Sequence, residues 1–355
     1  MMFSVSACKR EDPNPPIDEI KLYTKSLYDY MDTFITVQLY TTSTTVFNMH
    51  MDHIESVYAK YHELSNNYVE LDVNSPYKQN IYTINQQPNQ WLEIDHELYE
   101  LFQRAETYKE ITDGYFNIAI GNAVNVWKQL IESYPKESIP KLDYDDAIEV
   151  IESMVIPEIA VQLKVEDEKQ YVFIHEDARI DLGAIAKGYA TNLVIEYLIE
   201  EEINYFINAG SSTMAMGINP NRTGGVFNIG LQDPFYGFED GLKEYYVIAK
   251  LREVSLATSG NYIQYALYEN QKYHHIVSPF SKMPEHFYHG LSVFAKDPGL
   301  ADAISTALFC MDEETIELWV EEHQDNLELE IIIYRYDRTP LTYLINTEIQ
   351  LQIGD

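Results

Sequence analysis

The segment Arg179–Ala190 constrains this chain more than any other stretch of its sequence. It follows a short apolar strand, predicted over Tyr171–Ile174 and continuing at Ile180. It leads into a helix, because apolar side chains recur at one helical face: Ala190, Leu193, Val194, Tyr197 and Leu198. Between the strand and the helix lie Asp181, Lys187 and four small residues, Gly183, Ala184, Ala186 and Gly188. The fold must therefore contain a strand-to-helix turn whose bare backbone a ligand can approach closely.

This turn has two interpretations that its residues alone leave open. The free N–H groups at the helix start and the Lys187 ammonium suit an anion such as phosphate. The alternative is a tight turn whose lysine is simply solvated. The glycine spacings match neither a Walker A loop nor a Rossmann fingerprint.

The charge of the chain limits its partners. It has 57 acidic and 24 basic residues, which gives a formal net charge of −33. Such a surface repels nucleic acid and anionic bilayers, so neither is expected as a direct partner. An anionic ligand would need a locally positive pocket or a metal ion. The sequence has no apolar run long enough to predict a membrane-spanning segment.

The two cysteines have different predicted roles. Cys310 lies in an apolar run and is predicted to be a buried thiol. Cys8 ends the small-residue pattern Val5-Ser6-Ala7-Cys8, which is typical of a lipoprotein processing site. The residues before it are too short for a working signal peptide, so either the start is truncated or the pattern is accidental. We predict that residues 1–20 are a signal remnant and tether, which would anchor the protein by lipid at the extracytoplasmic face of a membrane.

The rest of the chain mixes predicted helices and strands. Helices are predicted over 46–64, 95–109 and 143–153, the second ending at Thr112-Asp113-Gly114. Strands are predicted over 31–40, 205–210, 226–233, 245–251 and 254–260, with a strand end at 274–279.

A late helix carries a possible metal site. Asp297 is its predicted N-cap and Pro298 its first residue. Asp302 and Thr306 lie four residues apart on one helical face, where they could give two oxygen ligands to Mg²⁺. The alternative is that Thr306 bonds back to the Asp302 carbonyl and Asp302 is merely exposed.

His275 stands between an aromatic-rich strand and a proline turn. A lone histidine is more often a satisfied polar group than a catalyst, so its sequence context alone gives it no chemical role.

Seven segments together, in this order, resemble the ApbE family of FAD:protein FMN transferases. They extend over most of the chain, from about Tyr30 to about Glu313. They are Met31-x-Thr33, Asp113-Gly-Tyr-Phe-Asn117, Asp181-Leu-Gly-Ala-Ile-Ala-Lys187-Gly-Tyr-Ala190, Asn208-Ala-Gly210, Ala257-Thr-Ser-Gly260, His275-Ile-Val-Ser-Pro279 and Ala301-Asp-Ala-Ile-Ser-Thr-Ala-Leu308.

The resemblance implies an α+β fold, with an antiparallel or mixed sheet and packed helices of the T-fold-related ApbE type, as a single domain over residues 21–355. It implies an FAD site lined by Met31, Tyr68, Tyr115, Phe116, Asn117, Asp181, Lys187 and Ile276. It further implies Mg²⁺ held by Asp302, Thr306 and the backbone carbonyls of Ala184 and Ser305.

The activity implied by the resemblance is Mg²⁺-dependent transfer of FMN from FAD to a threonine hydroxyl of a partner flavoprotein, within a small-residue motif, with release of AMP. Lys187 and the metal would neutralise phosphate charge. His275 is the candidate general base or positioning group for the acceptor hydroxyl.

Departures from the family pattern keep other functions open. Ser211-Ser212 follow Gly210 where Gly-Asp is usual, Ser278 replaces an aspartate, and Phe280 replaces a basic or polar residue. A metal-dependent FAD pyrophosphatase would use the same site with water as the acceptor. Two further alternatives are a non-catalytic FAD-binding surface lipoprotein and an acidic solute-binding lipoprotein.

Overall fold

Groups of helices and groups of strands follow one another along the chain. The computed structural model describes residues 19–210, 212–236, 243–345 and 350–353. The helices in these ranges are α1 (Thr44–Ser65), α2 (Ile81–Asn85), α3 (His96–Ile111), α4 (Gly121–Ser133), α5 (Lys141–Ser153), α6 (Ala186–Glu200), α7 (Pro298–Phe309) and α8 (Glu313–Leu327). The strands are β1 (Lys21–Leu27), β2 (Ile35–Thr41), β3 (Leu92–Ile94), β4 (Val161–Glu166), β5 (Lys169–Ile174), β6 (Asn204–Ala209), β7 (Thr213–Met216), β8 (Phe227–Gln232), β9 (Tyr245–Leu251), β10 (Val254–Gly260), β11 (Tyr265–Tyr268), β12 (Gln271–His274), β13 (Tyr288–Ala295), β14 (Glu330–Arg335), β15 (Pro340–Tyr343) and β16 (Gln350–Ile353).

The centre of the fold is an eight-stranded sheet in the order β1-β2-β6-β7-β10-β13-β14-β15. Every neighbouring pair in this sheet is antiparallel. Smaller sheets are formed by β16-β9-β8, by β3-β5-β4 and by the β11-β12 hairpin. The predicted α+β class with an antiparallel sheet and packed helices is confirmed.

The two faces of the central sheet bury two different clusters, as the two-residue period of a strand requires. On β14, Ile331 and Ile333 point into the large cluster that contains α1, α3, α6 and α7. Ile332, between them, points to the other face, where it packs with residues of β8 and β9. The sheet therefore lies between a helical layer and a small second sheet.

A third cluster, built by α4, α5 and the β11-β12 hairpin, lies beside the main layers. Trp127 is fully buried in it and stacks on Tyr273 with ring centroids 5.1 Å apart. Its indole N–H donates to the Lys282 carbonyl at 3.0 Å. These contacts fix the segments on either side of His275.

Helices α6 and α7 approach each other closely at Gly188. A β-carbon at this position would lie 2.5 Å from the Pro298 carbonyl oxygen and 2.9 Å from the Gly299 α-carbon. Only glycine therefore permits this helix contact. The contact places the first turn of α6, with Lys187, against Asp302 of α7.

The structure corrects two of the strand predictions. The predicted strand over 31–40 begins only at Ile35, because Met31 and Asp32 have left-handed φ angles of 58° and 49°. The strand before the Arg179–Ala190 segment ends at Ile174 and does not continue at Ile180. There the Asn85 side chain both accepts from the Ile180 N–H and donates to its carbonyl, at 2.7 and 2.9 Å, which replaces a neighbouring strand.

The strand end predicted at 274–279 lies at His274, where β12 ends, and the remaining element predictions agree with the structure to within a few residues at their ends. Asp297 caps α7 as predicted, because its side chain accepts from the N–H groups of Gly299 and Leu300. None of the helices in the described ranges is long and apolar enough to cross a membrane. Cys8 and Ser211 lie outside the described residues. Cys310 is buried and free, as predicted.

Candidate active site

A cleft of about 410 Å³ opens where α6 begins, beside α7. It brings together residues that are far apart in the sequence. The predicted site residues among its lining are Tyr68, Tyr115, Phe116, Asn117, Asp181, Ala184, Lys187, His275, Ile276, Asp302 and Thr306. Asp302 and Thr306 of α7 therefore line the same cleft as Ala184 and Lys187 at the start of α6.

Two predicted site residues are not part of this lining. Met31 lies in the turn before β2, where its backbone N–H donates to His62 Nδ1 at 3.0 Å. Ser305 is buried, and its hydroxyl contacts Ser259 Oγ and the Asp302 carbonyl, both at 3.0 Å. The role predicted for Ser305 concerns its backbone carbonyl, and both assignments stay predictions.

An ion pair joins the two halves of the site. Lys187 Nζ lies 2.9 Å from Asp302 Oδ2, with side chains only 16% and 8% exposed. The Gly188 N–H donates to the same oxygen at 3.0 Å. Thr213, fully buried at the start of β7, lies 2.6 Å from both Asp302 Oδ1 and Lys187 Nζ. The anion that contacts the first turn of α6 is therefore the Asp302 carboxylate.

This arrangement overturns two of the open alternatives. Lys187 is not a solvated lysine, because it is mostly buried and paired. Asp302 is not merely exposed, because only 6% of the residue is accessible. The Asp302 carbonyl receives the Ser305 hydroxyl.

The oxygen donors at this point suit a hard cation. A carboxylate has about four lone-pair sites. The donors Thr213, Lys187 and Gly188 use three of them on Asp302, which leaves one for a metal, and Thr306 lines the same cleft. All-oxygen ligands of this kind are those Mg²⁺ prefers. Within the described ranges, no three His, Cys, Asp or Glu side chains cluster as a metal site, so backbone and hydroxyl oxygens would have to complete it.

Asp181 presents a second, separately fixed carboxylate to the cleft. Its Oδ1 accepts from the Gly183 N–H at 2.7 Å, and its Oδ2 accepts from Asn67 Nδ2 at 3.0 Å. Asn67 is itself buried, and its carbonyl receives Arg179 Nη2 at 3.1 Å. Asp181 is therefore held rigidly enough to accept hydrogen bonds from hydroxyl or amino groups of a ligand.

Aromatic side chains build another wall of the cleft. After α3, Asp113 and Gly114 adopt φ angles of 51° and 83°, and this turn presents Tyr115 and Phe116. The Phe280 ring meets Tyr115 edge-on with centroids 4.6 Å apart. Phe280, which is 60% exposed, thus supports the Tyr115 ring from outside the cleft lining.

Tyr68 and Lys128 form a pair at the cleft wall. Lys128 Nζ donates to the Tyr68 hydroxyl at 2.7 Å and lies 4.0 Å from the ring centroid. Burial lowers the pKa of Lys128, but this hydrogen bond and nearby Glu132 and Asp181 raise it more. Lys128 is therefore a fixed positive charge on the same cleft as Lys187.

His275 is exposed and lines the cleft. Desolvation by the cleft walls lowers its pKa, the positive charges of Lys128 and Lys187 lower it further, and a hydrogen bond with the Gln264 backbone opposes them. The imidazole is therefore neutral at neutral pH, the form that can take up a proton.

Two residues near His275, His274 and Ser278, have structural roles. His274 is fully buried, with Nε2 2.8 Å from the Glu285 carbonyl. Ser278 accepts the Phe280 N–H on its hydroxyl, at 3.4 Å, within the turn that closes this segment. A serine thus supplies the local turn bond that an aspartate at this position can also make.

Comparison with known proteins agrees with this geometry. The model of the ApbE family matches residues 31–331. This chain belongs to the ApbE family. The FAD:protein FMN transferase of Treponema pallidum is 27% identical over 62% of this chain and 61% of its own length. That of Klebsiella pneumoniae is 25% identical over 66% of this chain and 72% of its own length.

Solved structures of the family share the fold. The ApbE protein of Thermotoga maritima superposes with a TM-score of 0.73, at 22% identity, over 90% of this chain and 96% of its own. The flavin transferase ApbE of Vibrio cholerae gives 0.66 at 18% identity, over 91% and 97%. The match to the T. pallidum sequence spans less than two thirds of that relative's length.

Sequence reasoning missed three residues that shape the ApbE-family site. Thr213 bridges the ion pair, Asn67 holds Asp181, and Lys128 pairs with Tyr68. Thr213 comes shortly after the Asn208-Ala-Gly210 motif in the sequence. The residues that follow this motif could therefore have indicated it. Asn67 and Lys128 lie in stretches without a recognisable pattern.

Proposed function

We propose that this ApbE-family chain is a Mg²⁺-dependent transferase that moves FMN from FAD to a threonine hydroxyl of a partner flavoprotein and releases AMP. One observation carries the proposal: Asp302 and Thr306 face the same cleft as Ala184 and Lys187. The relatives named for this activity support it, since they match 62% and 66% of this chain.

FAD fits the chemistry of the cleft. Tyr115 offers an aromatic surface for a flavin or adenine ring, with Phe116 buried behind the cleft lining, and Asp181 offers a fixed acceptor for hydroxyl or amino groups. Lys187 and Lys128 supply positive charge to a dinucleotide diphosphate in a protein whose net charge is −33. The predicted contacts of Asn117 and Ile276 belong to the same lining.

Mg²⁺ would be held by Asp302, Thr306 and the carbonyls of Ala184 and Ser305. When bound, the ion would neutralise charge on the diphosphate oxygens. Lys187 is placed to share that task, because its ammonium is next to Asp302 and lines the cleft.

The transfer step needs a proton acceptor and a route for the leaving group. The threonine oxygen forms a new bond to the FMN phosphorus, while the bond from that phosphorus to the bridging oxygen breaks. AMP leaves with the bridging oxygen, and the hydroxyl proton passes to neutral His275. Such general-base assistance is worth about 100- to 10,000-fold in rate.

Hydrolysis of FAD is the second candidate, because His275 is exposed to solvent. Water at the acceptor position would give FMN and AMP by the same bond changes. Chromatographic measurement of AMP, with and without an acceptor flavoprotein, separates the two reactions. We expect AMP release to rise with the acceptor and to stop in Asp302→Asn. AMP release that ignores the acceptor would favour hydrolysis, and no release with Mg²⁺ would refute both.

We also propose that the protein acts at the extracytoplasmic face of a membrane, anchored by lipid at Cys8. The support is the sequence pattern before Cys8. Metabolic labelling with a fatty-acid analogue, compared between the natural chain and Cys8→Ser, tests it; equal labelling would refute it.

A further inference from the structure

A second cavity of about 400 Å³ adjoins the candidate active site. The two share one wall, formed by Lys128, Ile263, Gln264 and His275. The rest of the second cavity is lined by Ile131, Glu132, Pro135, Lys136 and Tyr265. His275 therefore lines both spaces, so a group bound in the second cavity can reach the proposed proton acceptor.

Two lysines lie at the Tyr265 side of the second cavity: Lys136, which belongs to its lining, and Lys272, which contacts the Tyr265 ring from outside the lining. Lys136 Nζ and Lys272 Nζ lie 5.9 and 4.7 Å from the centroid of the Tyr265 ring. In the described part of the chain, neither lysine has a carboxylate within the 4.0 Å of an ion pair, whereas Glu132 lies 3.8 Å from Lys128. Burial lowers the pKa of Lys272, and the neighbouring charge of Lys136 lowers it further.

This charge contrasts with the rest of the molecule. The chain has 57 acidic and 24 basic residues, so a general electrostatic repulsion acts on any acidic partner. Lys136 and Lys272, near the proposed reaction centre, reverse that repulsion locally, whereas Glu132 offsets the charge of Lys128. Complementary charge of this kind fixes the orientation of a partner more than it adds raw affinity.

An exposed apolar side chain stands at the junction of the two cavities. Ile263 is 61% exposed and lines both of them. Ile263 is the aliphatic side chain of the shared wall. Small apolar residues of a bound peptide segment can therefore pack against it.

We propose that the second cavity, with Lys136, Lys272 and Ile263, docks an acidic segment of the acceptor protein that flanks its flavin-accepting hydroxyl. This inference rests on the proposed transferase function and adds the chemistry of the partner. The lysines hold the acidic residues, Ile263 covers the small apolar residues, and the hydroxyl is delivered to His275.

The test uses fluorescein-labelled peptides that contain one threonine among small residues. One peptide carries four flanking glutamates, one carries glutamines and one carries lysines at the same positions. Fluorescence anisotropy with the full FAD-loaded chain should give the glutamate peptide an affinity about tenfold above the glutamine peptide, which corresponds to about 1.4 kcal/mol. The preference should weaken as salt is raised.

Charge reversal identifies the surface. Lys136→Glu with Lys272→Glu should abolish the preference for the glutamate peptide. Lys21→Glu, on an edge strand outside both cavities, changes the charge in the same sense and should preserve it. Equal binding of all three peptides, no saturable binding, or an equal loss in the Lys21 variant would overturn the proposal.

Two further outcomes separate this inference from the function on which it rests. An equally large fall in FAD affinity in the Lys136→Glu variant would assign the cavity to the dinucleotide and overturn the docking proposal. If the chain does not turn over FAD but still prefers the glutamate peptide, the transferase function is refuted and the docking surface is supported.

Discussion

Lys187 Nζ lies 2.9 Å from Asp302 Oδ2, and this ion pair joins the first turn of one helix to the middle of another. Gly188 makes the approach possible and adds its own N–H to the same oxygen. The proposed metal ligand is therefore already neutralised by a lysine of the proposed diphosphate site. Because Lys187 contacts Asp302, the binding of a cation to Asp302 and the position of Lys187 depend on each other.

Replacement of Lys187 should make stability depend on Mg²⁺. Lys187→Met leaves a mostly buried carboxylate without its partner, and we expect the free energy of unfolding to fall by about 3 kcal/mol. Mg²⁺ should recover part of this loss, because a cation at Asp302 replaces the ammonium charge. Thermal unfolding with and without Mg²⁺ measures both effects.

The double variant Lys187→Met with Asp302→Asn is the control, since it removes both charges and should not respond to Mg²⁺. If Mg²⁺ stabilises the single and double variants equally, the ion does not bind at Asp302.

Thr213 should contribute to stability through its hydroxyl. Thr213→Val keeps the shape but removes the hydroxyl that Asp302 Oδ1 and Lys187 Nζ each contact, at a cost of about 1–3 kcal/mol. Thr213→Ser keeps the hydroxyl and should lose less. Urea denaturation of the two variants gives the comparison, and equal losses would show that the bridging hydroxyl is unimportant.

Protonation of His275 should cause the fall of the transfer rate at low pH, the acidic limb of the pH profile. Its pKa is lowered by desolvation and by Lys128 and Lys187, so it remains a neutral base below the ordinary histidine pKa of about 6.5. The rate should fall only at more acidic pH, and Lys128→Met should move the limb to higher pH. The pH profile of kcat at saturating FAD measures this.

In His275→Gln the transfer rate should drop about 100- to 10,000-fold and the acidic limb should disappear. An unchanged limb in that variant would assign the titration to another group.

Buried His274 should make the protein less stable in mild acid. Its pKa falls from 6.5 to about 3 because burial disfavours the charged ring. Between these values the unfolded chain binds a proton that the native state excludes, so stability rises with pH across that window. The contribution is about 1.4 kcal/mol per pH unit.

Denaturant titrations between about pH 4 and pH 6 should therefore give His274→Gln a shallower slope of stability against pH than the natural chain. Parallel slopes would mean that His274 does not carry this dependence.

Local periodicity and capping predicted most helices and strands, whereas the meeting of the Asp302 and Lys187 segments was expected only from the family resemblance. The Asp297 cap and the face shared by Asp302 and Thr306 are such local features. The pairing of Lys187 with Asp302 was not predicted, because it depends on how closely α6 and α7 pack. Thr213 and Asn67 act across long sequence separations, and local patterns carry no information on such contacts.

The intact mass of an acceptor flavoprotein, after incubation with this chain, FAD and Mg²⁺, tests the central claim most directly. We expect a gain equal to FMN less water on one threonine, with one AMP released per transfer, and neither product with Asp302→Asn. An unmodified acceptor in the presence of bound FAD, or the same gain with Asp302→Asn, would contradict it.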